Sequence, residues 1–272
     1  MSRNPRAMNK PILSVAFFFF SAASILSAAT ISADIVSDTT YDSNTEEDYS
    51  VDSSVSVAQG ATLTLGESKT LRVGSRDNLS ASVSVAGTLD TSYRAYVYGT
   101  VSVTGTWLAG NAAGSAIYFY DGGTVSVGGD GRLVLEKTKS GMQSIYVAAR
   151  GGGTLELDSA DNLVIDASGI SVSEEDDALS LKLCTVAVEK LTVKVGSATF
   201  SGTNAEAWDT YLGGIVVKGF EDWAKSFAYN ESSGLSLNLT RPVPEPSAFA
   251  LLAGTAAAAL AAVRRRQRSR AG

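Results

Sequence analysis

Between residues 55 and 193 a three-residue unit recurs: an apolar residue, a small polar or charged one, and a second apolar residue. It appears as Val55-Ser56-Val57, Leu63-Thr64-Leu65, Val83-Ser84-Val85, Val101-Ser102-Val103, Val125-Ser126-Val127, Leu155-Glu156-Leu157 and Leu191-Thr192-Val193. Alternation with period two places one set of side chains on a dry face and the other in water, which is a half-buried strand and excludes a helical build. Gly60, Gly87, Gly99, Gly123 and Gly153 each precede such a unit or a related one, so the strands are short and punctuated by turns. The chain reads as all-β.

A longer similarity emerges when the blocks starting at Ala95, Ala116 and Ser144 are laid together. Each holds an aromatic-containing strand, a Gly turn, a TVSV or TLEL strand, a second turn and another apolar strand. The middle strands begin at Val101, Val125 and Leu155, spacings of 24 and 30 residues. Imperfect repeats of that length fit the coils of a parallel β-solenoid, whose insertions fall at the corners. A β-sandwich has similar turn spacing and stays open as the alternative. A solenoid has two open ends, and its terminal segments should depart from the repeat. Residues 37–54, with six acidic and no basic residues, read as a mobile, solvated lead-in. Thr203 and Glu206 form a T-x-x-E capping box, followed by Trp208, Tyr211, Leu212, Ile215 and Val216 at helical spacing with Gly213-Gly214 interrupting. Residues 203–240 are therefore expected to form a mixed cap on which Trp208, Trp223 and Phe227 pack.

The chain has no histidine, which removes Ser-His-Asp, Cys-His and His-metal chemistry together. Its one cysteine, Cys184, lies inside an alternating stretch and reads as a small buried residue. Charge is distributed unevenly. Eight of the 22 basic residues lie in residues 1–29 and 247–272, where there are no acidic ones, leaving 14 basic against 28 acidic residues between. A body this acidic has no basic groove for nucleic acid.

Both ends read as addresses. Arg3, Arg6 and Lys10, the apolar run 12–26 and the small residues Ser27, Ala28 and Ala29 have the layout of a secretory signal, implying the secretion translocon as a partner. Near the other end come Val243, Pro244, Glu245, Pro246 and Ser247. A charge-free, Ala-rich stretch follows over 248–263, and then a cluster of Arg264, Arg265, Arg266, Arg268 and Arg270. Sixteen residues form a short membrane helix, suited to transient insertion, and the arginines would stay on the cytoplasmic side. The fixed order of these three features over about 30 residues resembles the PEP-CTERM sorting signal of Gram-negative bacteria. The resemblance implies recognition by an exosortase, a membrane transpeptidase-like enzyme. It also implies removal of the tail near the motif, and delivery of the body to the envelope surface or extracellular matrix. The expected organisation is a signal peptide at 1–29, an acidic lead-in and N-terminal cap at 30–54, solenoid repeats at 55–202, the cap at 203–240 and the sorting signal at 241–272.

Candidate chemistry within the body is sparse. Asp158, Asp161, Asp166 and the acidic run 174–177 match no calcium-loop spacing and read as polar corners. The Gly128–Gly131 stretch reads as a turn. Tyr96, Tyr118 and Tyr146 would form a ladder for stacking on sugar rings if successive coils placed them in register; the alternative is that the rings pack on one another. No catalytic residue, cofactor or metal site is expected. The expectation is a non-enzymatic, exported protein with a structural or adhesive role, resembling autotransporter passenger-like stalks in architecture only, with exopolysaccharide as a possible partner. Its rivals are a polysaccharide lyase or hydrolase, with Asp158 or Asp166 near Arg132 or Arg150, and a glycan-binding module.

Overall fold

The computed structural model describes residues 28–42, 48–110, 115–136, 146–173 and 176–242. The chain starts with β1 (Ala29–Thr30) and β2 (Thr39–Tyr41), then runs through triplets of strands. These are β3 (Asp48–Val51), β4 (Ser54–Val57) and β5 (Thr62–Leu65); β6 (Thr70–Val73), β7 (Ser82–Val85) and β8 (Thr88–Thr91); and β9 (Arg94–Val97), β10 (Thr100–Val103) and β11 (Thr106–Gly110). Two more follow: β12 (Ser115–Phe119), β13 (Gly123–Val127) and β14 (Arg132–Glu136), then β15 (Tyr146–Ala148), β16 (Gly153–Leu157) and β17 (Leu163–Asp166). Each triplet is one coil of a parallel β-solenoid.

Corresponding strands of successive coils pair in parallel to build three faces. The first face is the six-stranded sheet β1-β3-β6-β9-β12-β15, and the second and third are seven-stranded sheets. The pairing of Val101 with Val125, and of Val125 with Leu155, matches the 24- and 30-residue spacing of the repeats. The tightest coil is shorter: Val83 pairs with Val101, closing a circuit in 18 residues. Longer coils keep the same three strands and carry extra residues at the corners, as repeat architectures do.

Alternation turns one residue in two toward a continuous interior column. Leu63, Leu89, Trp107, Leu133 and Leu163 stack in register along the third face, all buried. The column is filled by exchange of size between faces. In the coil that holds Trp107, the other inward positions include the small Ala95 and Ala109, also fully buried. The second corner, between β13 and β14, is clamped by a buried asparagine. Asn162 Nδ2 donates to the carbonyls of Gly129 (3.0 Å) and Gly131 (2.8 Å), while its Oδ1 accepts from Ser159 N (2.8 Å). Gly128–Gly131 is thus a turn, as expected.

The stretch read as a mobile lead-in behaves otherwise: outside residues 43–47 it is part of the solenoid. β2 and β3 lie within it, and Tyr49 and Val51 are buried in the core. Asp38, from that acidic stretch, and Asp34 just before it cap backbone amides. The first coil has no strand on the second face, and there Asp34 accepts from the Ser56 amide (2.7 Å), while Asp38, at the entry to β2, accepts from the Thr62 amide (2.9 Å) of the next coil. The bond from Ser56 N holds the Asp34 pKa below the usual carboxylate value. Side-chain capping of this kind blunts an open sheet edge.

At the other end, β18 (Ala178–Cys184) departs from the coil path. β19 (Leu191–Val195) returns to the second face, and β20 (Ala198–Ser201) folds back on it antiparallel, closing that sheet. After helix α1 (Ala205–Leu212), β21 (Val216–Lys218) joins the third face. β22 (Ala224–Asn230) and β23 (Gly234–Thr240) pair with β18 as a three-stranded antiparallel sheet. Trp208 and Phe227 are buried against one another, ring centroids 5.2 Å apart, and Trp223 packs edge-on against Phe220. Two local expectations are corrected. The helix N-cap is Asn204, whose side chain accepts from Ala207 N (3.1 Å), not Thr203, whose hydroxyl meets Ser201. The helical spacing through Val216 is also not helix. The chain leaves α1 at Gly213, and Ile215 and Val217 are buried by the strand that follows. The apolar stretch expected to be a terminal helix lies outside the described residues, and no described helix is long and apolar enough to cross a membrane.

Candidate functional site

Each outer face of the solenoid has a distinct chemistry, fixed by which residues occupy the wet positions of its strands. The second face is a plain of hydroxyls. Ser54, Ser82, Thr100, Thr124, Thr154 and Thr192 line one row, and Ser56, Ser84, Ser102 and Ser126 a second that ends in Glu156 and Lys194. Lys194 Nζ lies 2.6 Å from Glu156 Oε1, and this bond holds the Glu156 pKa down against burial, with help from the Ser126 hydroxyl.

The third face brings carboxylates together. Glu136 is paired in register with Asp166, and Asp166 with Lys218. Burial opposes ionisation of Asp166, yet hydrogen bonds from Ser168 and Lys218 (3.1 Å) hold its pKa below the usual value. Glu136 goes the other way: burial first, then the negative charges of Asp166 and Asp90, raise its pKa. A group whose folded pKa is raised stabilises the fold fully below its unfolded pKa, and that contribution is lost as pH rises through the folded value. Glu136→Gln should therefore stabilise the protein at pH 7, by an amount that solvent screening keeps small. The gain should shrink as pH falls toward 4. Paired thermal melts of the two proteins across this range would show it, and equal melting points at pH 7 would count against the charge argument.

The first face carries tyrosines and arginines. Arg72, Tyr96 and Tyr118 are in register on β6, β9 and β12. Tyr146 is not with them. It pairs with Ser115, and the position opposite Tyr118 is Ala148. The rungs recruit Tyr98 and Tyr120 instead, whose rings stack in parallel at 4.8 Å and 10°. Tyr96 stands edge-on to both Tyr118 (5.2 Å) and Tyr120 (5.8 Å). The rings thus direct their faces largely at one another, and Tyr118 is 9% exposed.

Guanidinium groups roof this cluster. Arg72 lies 5.6 Å from the Tyr96 ring centre, Arg150 5.1 Å from Tyr118, and Arg94 4.7 Å from Tyr93. Asp48 bonds Arg72 at 2.8 Å, and Arg94 Nη1 donates to the Tyr96 hydroxyl at 3.3 Å. Burial, as the largest influence, raises the Tyr120 pKa, so its hydroxyl stays protonated. Arg72 and Arg94 were not singled out from the sequence, and Arg150 was named only as a partner for Asp158 or Asp166. Their signal is the spacing that fixed the middle strands. Counting back from the aligned Gly123 and Gly153 places Ala148 beside Tyr118, and puts Arg150 at the next outward position.

The remaining candidates are placed as follows. Asp158 accepts from Gly129 N (2.8 Å), and Arg132 donates to the Gly131 carbonyl (3.1 Å), so both serve the Gly128–Gly131 turn. Asp158 and Arg132 therefore share one corner, whereas Asp166 is committed to Lys218 and Arg150 belongs to the first face. Among the described residues no group of three or more Cys, Asp or Glu side chains is arranged to hold a metal ion. Cys184 is buried, its Sγ 3.8 Å from the Val186 carbonyl, and burial pushes its pKa up to about 12. It is an inert thiol. Residues 243–247 and the arginines at 264–270 lie outside the described residues. No family model, curated protein or solved structure matches the chain.

Proposed function

We propose that the chain is an exported structural or adhesive protein of the cell surface or extracellular matrix, sorted through its C-terminal signal by an exosortase-type transpeptidase. One observation carries this reading: the ordered Pro-Glu-Pro motif, short apolar stretch and arginine cluster at residues 243–270. The body is consistent with it. Regular parallel faces give a stiff rod whose surface chemistry is set coil by coil, without a pocket or a catalytic constellation being needed. The tail acts as a temporary anchor, as in other systems where an apolar segment is exchanged for a different attachment.

The test is to recover the native protein from inner membrane, outer envelope and medium separately and to measure the mass of its C-terminal peptide. A peptide ending near Glu245, alone or with an added group, is expected in the envelope or medium. An intact arginine tail found only in the inner membrane would replace the sorting reading with a permanent anchor.

A further inference from the structure

We propose that the tyrosine–arginine cluster on the first face binds a carboxylate-bearing polysaccharide laid along the solenoid axis. This rests on the surface-or-matrix reading above and names its partner by chemistry.

The first support is charge. The chain between its two ends carries twice as many acidic as basic residues, yet Arg72, Arg76, Arg94 and Arg150 gather on or beside one face. Among the described residues the ion pairs here are Asp48 with Arg72 and Asp121 with Arg76. The face is thus a local basic patch on an acidic rod, and it attracts anions that the rest of the surface repels.

The second is preorganisation. A guanidinium seated over a tyrosine ring is restrained by that contact, and its N–H groups suit the two oxygens of a carboxylate. Little side-chain freedom then remains to be lost on binding. Of the three arginines over tyrosine rings Arg150 is the exposed one, and Arg94 lies two strand spacings away, about 10 Å along the axis, at the opposite end of its strand. That distance suits successive units of a chain and exceeds the reach of a single small anion.

The third is what lies between the arginines. Because Tyr98 and Tyr120 cover each other's faces, they present ring edges and hydroxyls, not a flat platform. Edges and hydroxyls complement the C–H and O–H surface of a sugar backbone, while the arginines take its acidic substituents. A nucleic acid fits poorly, since its dense phosphate charge would be opposed by the acidic body, whereas a sparsely charged polymer meets less repulsion.

The experiment titrates the purified full-length chain with polygalacturonate, with the same polymer after reduction of its carboxyl groups, and with single-stranded DNA. Binding is expected to the first alone, weakening as salt rises. Arg150→Gln should weaken it at least tenfold and Arg150→Lys less, with unchanged melting points showing that the fold is intact. Lys225→Gln, on the antiparallel sheet and off the first face, should have no effect. Binding to neither polysaccharide, equal binding to both, equal binding to DNA, or full retention of binding in Arg150→Gln would each overturn the proposal. None of these outcomes depends on the C-terminal peptide, so failure here is separable from failure of the sorting reading.

Discussion

Gly105→Ala should be among the most damaging single changes in the protein, although it adds one methyl group. A Cβ at Gly105 would lie 2.1 Å from the Gly87 carbonyl oxygen and 2.5 Å from that of Ala86. Both obstacles are backbone of the preceding coil. They are also hydrogen-bonding backbone, since Thr104 N and Gly105 N donate to Val85 O, and Thr106 N to Gly87 O. A flexible side chain could swing aside, but here the ladder itself must open. Overpacking in a well-filled interior costs about 1–3 kcal/mol and sometimes more, and a clash with paired backbone belongs at or above the top of that range. Gly60→Ala is the matched control. Its Cβ meets nothing within 4 Å, but its φ is +80°, so the expected cost is the smaller one of left-handed backbone, about 1 kcal/mol. Chemical denaturation of both variants tests the contrast. If Gly105→Ala is no worse than Gly60→Ala, the corners do not require glycine for close approach.

That contrast marks how far the sequence could be read. The glycines before Val101, Val125 and Leu155 were legible as corner punctuation, and the alternation gave both the strands and their spacing. The same counting could not say which glycine is needed for a positive φ and which for lack of a Cβ, because both look identical in the chain. Nor could it see that Asp34 and Asp38 cap backbone amides. Asp38 belongs to a stretch with six acidic residues in 18, which looks solvated unless the missing strand of the first coil is known. Tyr146 fails for a related reason. Aligning the Ile-Tyr pairs at 117–118 and 145–146 matches like with like, but the register is fixed at the glycine corner, where Ala148 falls opposite Tyr118. Cap composition was partly legible through its aromatic residues. Its antiparallel pairing of β18 with β23 was not, because β18 has the same alternation as a solenoid strand and its partner is more than 50 residues away.

Trp107→Ala should be the other severe change, and for the opposite reason. Trp107 is the bulkiest residue of the column and fully buried, and its Nε1 donates to Thr91 Oγ1 at 2.9 Å inside the solenoid. Thr91 is itself fully buried, on the strand of the preceding coil. Truncation leaves a cavity between Leu89 and Leu133 and strips the hydroxyl of its indole partner, so a loss of about 3–5 kcal/mol is expected. The two contributions separate in a double-mutant cycle. Trp107→Phe keeps most of the volume and loses the donor, whereas Thr91→Val keeps the shape and orphans the indole N–H, at about 1–3 kcal/mol. Combining them removes both polar groups, so the double variant should be more stable than the sum of the single losses predicts. Strict additivity would mean that the buried bond couples nothing and that Trp107 acts through volume alone. In a one-dimensional stack, where each coil rests on its neighbours, either loss should also spread. Hydrogen exchange should quicken in β8, β11 and β14 before it does in β2 or β21.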